Sequence, residues 1–308
     1  VPSCLLALES GVAWARFTGE LLFPEGIIEA KAPSGNFSGS LYFPESLKEI
    51  SGSWGYSNMT GTVTIPRCRT KVYEFCFENG GYNHVEFYDG VTEIEGSAFR
   101  HSNISGELVL PPHLRKIDDM GFYNTKISKI IFNDELRLMG SRAFEGNPYL
   151  TGTLTLPKNV ARIPGSCFRN CPGITGLVIP EGVDLIDERA FEGCNGISSI
   201  VSYATEPPVL ADKAFYGVNK DNFTVEVPKG CVDKYKEADG WKEFKRIAEY
   251  SNFVCRPAQA NALNKAHDEQ LVLNADGAWT VKSCPDWVHL SQTSGTGKTQ
   301  IQITFLDL

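Results

Sequence analysis

Basic charge is scarce in this 308-residue chain: 29 Lys and Arg face 37 Asp and Glu, for a formal net charge of −8. Nucleic acid and anionic membranes both reward basic surfaces, so neither is an expected partner. No apolar run reaches the roughly 18 residues that a bilayer crossing needs, so no transmembrane segment is expected. The opening VPSCLLALESG lacks the basic stretch and long apolar core of a secretion signal, which places any targeting segment outside this sequence. Cys4 faintly matches a lipid-attachment box, but no polar tether follows it. Catalytic and metal-binding spacings are missing too. His84, His101, His113, His267 and His289 form no HExxH, no cysteine pair forms CxxC, and no GxSxG elbow occurs. SGTGKTQ contains the Gly-Lys-Thr of a phosphate loop, yet Gln292 stands five before Gly297 and a strand pattern follows. No cofactor, metal or catalytic residue is expected. The nine cysteines are an odd number in a chain large enough to fold without staples, and they read as buried thiols.

What the chain does have is a repeat. From Pro66 to Val218 one pattern returns about every 23 residues: a proline, two apolar residues at +3 and +6, then a small residue followed by phenylalanine at +11. The copies LPPHLRKIDDMGFYNT, LPKNVARIPGSCFRNC and IPEGVDLIDERAFEGC are the clearest. A single coil of this length cannot bury its apolar residues, whereas stacked coils place equivalent residues over one another in one core. The predicted spine of that core is Phe77, Phe99, Phe122, Phe144, Phe168, Phe191 and Phe215. The residue before each is small: Cys76, Ala98, Gly121, Ala143, Cys167, Ala190 and Ala214. Three residues after it, Ser102, Thr125, Asn147, Cys171 and Cys194 suit an inward corner where backbone groups need partners. Cys171 and Cys194 are within disulfide range on distance alone, but a polar ladder of reduced side chains also explains Thr125 and Asn147. The first coils keep the strand and its proline, at Pro24 and Pro44, without the small-Phe pair, and Trp54 or Tyr56 is the candidate to fill that volume.

Each coil ends in a short alternating strand, as in ELVLP, TLTLP and TVEVP, and these strands should pair in parallel. Their outward column reads Leu22, Tyr42, Thr64, Glu86, Val109, Ile131, Thr155, Val178, Val201 and Glu226. Six of the ten are apolar or aromatic, which makes the column the candidate binding face. The preference of β-branched residues for strands explains part of the same pattern.

The small-Phe repeats, their prolines, and the stretch ATEPPVLADKAFYGVNKDNFTVEVPKGCVDKYKEADGWKEF resemble the BspA-like leucine-rich repeat proteins of Bacteroides-type bacteria, over residues 17–247. The resemblance implies a right-handed leucine-rich repeat solenoid with a parallel β-sheet. It also implies a closing coil sealed by Tyr235 and Trp241, and no catalytic residues. It further implies a cell-surface or extracellular location, on an outer-membrane lipoprotein in the full-length form, with adhesion to a host matrix protein, mucin or glycan. Residues 1–16 complete no repeat and read as an N-terminal cap. From residue 248 the period stops. AWTV followed by DWVHLSQTSGTG and an alternating strand resembles a BACON domain, a small immunoglobulin-like sandwich over 248–308, complete or truncated, with a proposed carbohydrate association. Trp279 and Trp287 carry that resemblance; each fits either a sandwich core or a sugar-stacking surface. The expectation is thus a monomeric, non-enzymatic surface binding protein. The alternatives are a spacer that projects another domain, or sugar binding through the C-terminal module. An enzyme would require a glycosidase-like carboxylate pair roughly 5–9.5 Å apart in a cleft.

Overall fold

Alternation along the strands and small residues beside each phenylalanine dictate a coil with two strands and two turns. The computed structural model describes residues 7–8, 14–18, 21–22, 25–26, 29–31, 35–47, 49–55, 59–65, 67, 70–249, 267–280, 288–290 and 294–305. The chain divides into two units, Val1–Ala248 and Glu249–Leu308. The first is a parallel β-solenoid of about nine turns.

Each regular coil contributes one longer strand to a broad sheet and one two-residue strand to a narrow sheet. The broad strands include Thr62–Thr64, His84–Glu86, Ser105–Val109, Lys126–Ile131, Gly152–Thr155, Ile174–Ile179, Ser199–Ser202 and Thr224–Val227. The narrow strands are Lys71–Val72, Glu93–Ile94, Lys116–Ile117, Leu138–Met139, Arg162–Ile163, Leu185–Ile186 and Val209–Leu210. Inward residues of both, such as Leu108, Leu154, Ile94 and Ile186, are buried in one continuous core. The tight turn between the strands starts at the proline position, where Leu114, Val160 and Val183 donate back to the carbonyls of Pro111, Pro157 and Pro180. Asn133 replaces that proline in one coil. Its buried amide donates at 2.8 Å to the carbonyls of Pro111, Pro112 and Leu114, tying the coil to the turn before it.

The second turn carries the phenylalanine and is held by left-handed backbone on both sides of it. Two residues before the ring stand Phe75, Ser97, Met120, Arg142, Ser166, Arg189 and Lys213, all with φ between 55° and 59°. Two residues after it, Asn79, His101, Asn124, Gly146, Asn170, Gly193 and Gly217 also have positive φ. This conformation costs an L-residue about 1–2 kcal/mol. The cost is offset by alignment, because N–H groups now point along the stack. Phe122 donates to Ala143 at 2.8 Å, Met120 to Ser141 at 3.0 Å and Asn124 to Glu145 at 2.8 Å. The same three bonds recur at every step from the Phe77 coil to the Phe191 coil.

The seven rings form one buried column with centroids 5.1–5.5 Å apart and planes within 8° of parallel. Trp54 extends it: its ring is buried, and its backbone N–H donates to the Cys76 carbonyl as Phe77 donates to Ala98. Tyr56 lies outside the described residues. Beside the column, Asn147 donates to the carbonyls of Phe122 at 3.0 Å and Phe144 at 2.8 Å, and accepts from the Thr125 N–H at 3.2 Å. Cys171 and Cys194 are free thiols that donate to the carbonyls of Phe144 and Phe168. Burial pushes the Cys194 thiol up to about 12 and that of Cys171 well above its ordinary range, so both are unreactive.

At the C-terminal end, helix Val232–Glu237 and the short turn Trp241–Glu243 lay Tyr235 and Trp241 over the core, rings 5.1 Å apart. Buried Tyr and Trp need partners for their polar atoms. Tyr235 Oη donates to the Ala204 carbonyl at 2.9 Å, and Trp241 Nε1 to that of Pro208 at 2.7 Å.

The second unit contains one antiparallel sheet among its described residues. His267–Thr280 pairs with Ser294–Phe305, which pairs in turn with Val288–Leu290. Trp279 lies opposite Gly295, whereas Trp287 lies outside the described residues, as does most of the expected cap over residues 1–16.

Candidate recognition surface

Two exposed β faces and one turn face are available to a partner. On the broad sheet the register places Glu86 beside Thr64, Val109 beside Ile131, and Thr155, Val178, Val201 and Glu226 in one row. Leu22 pairs with Tyr42 in backbone register. Glu86, Val109, Thr155 and Glu226 are exposed, while Tyr42, Thr64, Ile131, Val178 and Val201 are half-buried. Val109, at 56% exposure, is the most open apolar residue of this column among those whose exposure is described.

This sheet is interrupted after two of its three aromatic coils. The last inward position of successive strands is Phe43, Ile65, Phe87, Leu110, Phe132 and Leu156. Phe43, Phe87 and Phe132 meet Trp54, Phe99 and Phe144 edge-on at 5.1–5.9 Å. The aliphatic coils donate onward, Ile65 to Glu86, Leu110 to Ile131 and Leu156 to Val178. Among the described residues Phe87 and Phe132 make no such bond, and the sheet breaks after each. At Phe43 the sheet continues, with Leu41–Tyr42 paired to Thr62–Thr64.

The narrow face has two outward columns. One reads Lys71, Glu93, Lys116, Leu138, Arg162, Leu185, Val209 and the other Tyr73, Glu95, Asp118, Gly140, Pro164, Asp187, Ala211. Ion pairs link neighbours: Lys71 with Glu93 at 2.7 Å and Lys116 with Asp118 at 2.6 Å. Arg162 Nε donates to Asp187 at 3.1 Å. These cations hold the carboxyls of Asp118 and Asp187 below the usual range, so neither is a protonated acid for glycoside chemistry. Leu138 at 60% and Val209 at 65% are the most open apolar positions of these columns, ahead of Tyr73. A groove of about 450 Å³ lies between Leu138 and Arg162, and its charged lining balances Lys116, Arg137 and Arg162 against Asp118, Asp119 and Asp187.

The turn face is a charge ladder. Glu78 pairs with Arg100 at 3.3 Å, and Arg169 bridges Glu145 and Glu192 at 3.2 Å each. Turn carboxylates are ordinarily solvated, as Glu181 is, whereas Asp187 is half-buried beside Arg162. Glu145 departs further at 5% exposure, and burial raises its carboxyl above the ordinary range against the pull of Arg169 and Arg142. Among the described residues no three His, Cys, Asp or Glu side chains could hold a metal, and no helix is long and apolar enough to cross a membrane.

Residues 28–114 and 106–221 match the BspA-type leucine-rich repeat region in six copies. The chain belongs to the BspA-type leucine-rich repeat family. No curated protein matches it. Among solved structures, this BspA-type chain is similar to a leucine-rich repeat protein of Bacteroides ovatus at 19% identity and TM-score 0.44, covering 73% of this chain and 63% of that one. It is also similar to one of Eubacterium ventriosum at 13% identity and TM-score 0.38, covering 75% and 72%. A leucine-rich cell surface protein of Faecalibacterium prausnitzii matches at 14% identity and TM-score 0.30, covering 80% and 90%. The BspA-type chain thus spans less than two thirds of the Bacteroides ovatus protein's length. The narrow face escaped sequence reading because its strands are two residues long. Pro164, in register with Glu95, Asp118 and Asp187, was the signal that could have exposed it.

Proposed function

We propose that this chain is a non-enzymatic recognition protein of the bacterial cell surface, whose broad sheet face binds a host protein. The single observation that carries the reading is the registered outward column, where exposed Val109 lies directly beside Ile131. An apolar pair held on rigid parallel strands is the kind of anchor that protein partners cover. Family membership supports a repeat scaffold, and the cell-surface description of the Faecalibacterium relative supports the location. Anchoring as a lipoprotein and a carbohydrate role for the C-terminal module belong to the same proposal.

The full chain is to be titrated against immobilised fibronectin, fibrinogen, mucin and a glycan panel, alongside a variant carrying Tyr42→Ala, Val109→Ala and Ile131→Ala. Saturable binding to a protein, weakened at least tenfold by the triple change with the melting temperature kept, is the expected outcome. Binding that survives the change removes the broad face as the site. Binding to glycans alone removes the protein-ligand reading.

A further inference from the structure

We infer that the solenoid contains a built-in joint between the Phe144 and Phe168 coils, pinned at the turn face and able to flex at the proline corner opposite it. On either side of this step, neighbouring coils are bonded at both sheets and at the corner between them. In the step before, Leu110 donates to Ile131 at 3.1 Å, Arg137 to Arg115 at 3.1 Å and Gly140 to Ile117 at 2.8 Å. In the step after, Leu156 donates to Val178 at 3.0 Å, Asp184 to Ala161 at 2.8 Å and Asp187 to Ile163 at 2.9 Å. The equivalent donor positions at the joint are Phe132, Ala161 and Pro164. Proline has no N–H, and among the described residues neither Phe132 nor Ala161 makes a backbone bond to the neighbouring coil. The strands agree. Lys126–Ile131 and Gly152–Thr155 lie in different sheets, and so do Leu138–Met139 and Arg162–Ile163.

What holds this step lies on one side. Arg142 donates to Gly165 at 3.0 Å, Phe144 to Cys167 at 2.9 Å and Gly146 to Arg169 at 2.8 Å, above rings whose centroids are 5.5 Å apart. Arg169 reaches back to Glu145 at 3.2 Å on the same face. Thr151 donates to Ser128 at 3.0 Å, at the margin of the broad strand nearest the turn. Across the proline corner the polar contacts are made by side chains. Asn159 Nδ2 donates to the Asp134 carbonyl at 2.6 Å, and Lys158 pairs with the Asp134 carboxylate at 2.8 Å. Both members of that ion pair are exposed, so it is a weak latch. Beneath it Leu136 and Val160 are buried in the common core. Apolar burial is non-directional, so it tolerates a small rotation that ladder bonds would forbid.

The coil lengths supply the cause. Phe122 and Phe144 are 22 residues apart, whereas Phe144 and Phe168 are 24 apart, so a longer coil lies on a shorter one. With the rings and turns in register, the surplus falls on the far side, where the ladder is lost. The joint also divides the broad face. Val109 and Ile131 stand on one side of it, and Thr155, Val178, Val201 and Glu226 on the other. Rotation about the turn therefore changes the curvature that the outward column presents, as a hinge between two rigid bodies does.

The test is double electron–electron resonance on the full chain, with spin labels carried on p-acetylphenylalanine so that the nine cysteines stay untouched. Labels at exposed His113 and Glu181 span three steps including the joint; labels at exposed Arg67 and Glu135 span three steps without it. The distance distribution across the joint is expected to be about twice as broad as that of the control pair. Lys158→Ala with Asn159→Ala removes the latch and should broaden it further. Pro164→Ala supplies an N–H for the Met139 carbonyl and should narrow it. No ligand enters the experiment, so its outcome is separate from that of the broad-face proposal. Equal widths for the two pairs, or a width across the joint that neither the latch variant nor Pro164→Ala alters, would overturn the inference.

Discussion

The turn face and the two sheets belong to the same coils and share one register, yet they differ in continuity. On the turn face three backbone bonds join every pair of neighbours from the Phe77 coil to the Phe215 coil. The broad sheet breaks after Phe87 and after Phe132, and the narrow sheet breaks at Pro164. The difference teaches where the stack gets its integrity. Left-handed residues on either side of each ring turn N–H groups along the solenoid, and the stacked phenylalanines fill the space beneath them. With coupling secured there, the strands can lose ladder bonds and change their outward residues without splitting the stack.

The largest effect should come from removing a ring at the one step where both sheets are broken. Phe144→Ala is expected to cost about 3–5 kcal/mol in urea unfolding, the transfer and cavity terms together. If losing a sheet-corner ring, as in Phe87→Ala, cost as much, the turn face would have no special place. Gly140→Ala comes next. Its Cβ would press on the Asp118–Asp119 backbone, and a destabilisation of about 1–3 kcal/mol is expected from the same experiment. Asn147→Ala should cost about 1–3 kcal/mol, because the Phe122 carbonyl and the Thr125 N–H lose their partner. Cys194→Ala should cost less, since a thiol is the weaker donor to the Phe168 carbonyl. Equal costs would deny the ladder its hydrogen-bonding role.

The smallest expected effect is electrostatic. Glu145 is buried and its carboxyl is held above the ordinary range in the folded state. Its stabilising contribution is therefore full below the unfolded-state value near 4.5 and is lost as pH rises through the folded value. Urea midpoints of the native chain and Glu145→Gln should favour the native chain more at pH 4 than at pH 7. A reversed or absent trend would mean that Arg169 and Arg142 outweigh burial. The partly exposed Arg162–Asp187 pair has the opposite sign, with stability lost as pH falls, and its exposure keeps the effect within about 1 kcal/mol.

Much of this fold is legible in the residues. The small-Phe pair repeats because a buried ring needs a slender neighbour, so Phe77 through Phe215 could be placed in one register from sequence. The column Ser102, Thr125, Asn147, Cys171 and Cys194 also reads correctly as an inward polar corner, and its two cysteines are free thiols. Other features leave no composition signal. Positive φ after the ring falls largely on Asn and Gly, whereas before the ring it falls on Phe75, Met120 and Arg142, which no turn preference marks. The alternation of Phe43, Phe87 and Phe132 with aliphatic residues spans two coils, so a search at one-coil period averages it away. The break in the narrow sheet depends on what is missing, an N–H at Pro164, and a missing group shows only once neighbouring coils are aligned.

The most direct test is native-state hydrogen exchange, resolved by residue, across the step between the Phe144 and Phe168 coils. The amides of Arg142, Phe144 and Gly146, which donate to Gly165, Cys167 and Arg169, should be protected as strongly as those of Met120, Phe122 and Asn124 one coil earlier. The amides of Phe132 and Arg162, on the broken sheets, should exchange much faster. If the three turn-face amides at this step exchanged as fast as those sheet amides, the turn would not be what holds the solenoid together.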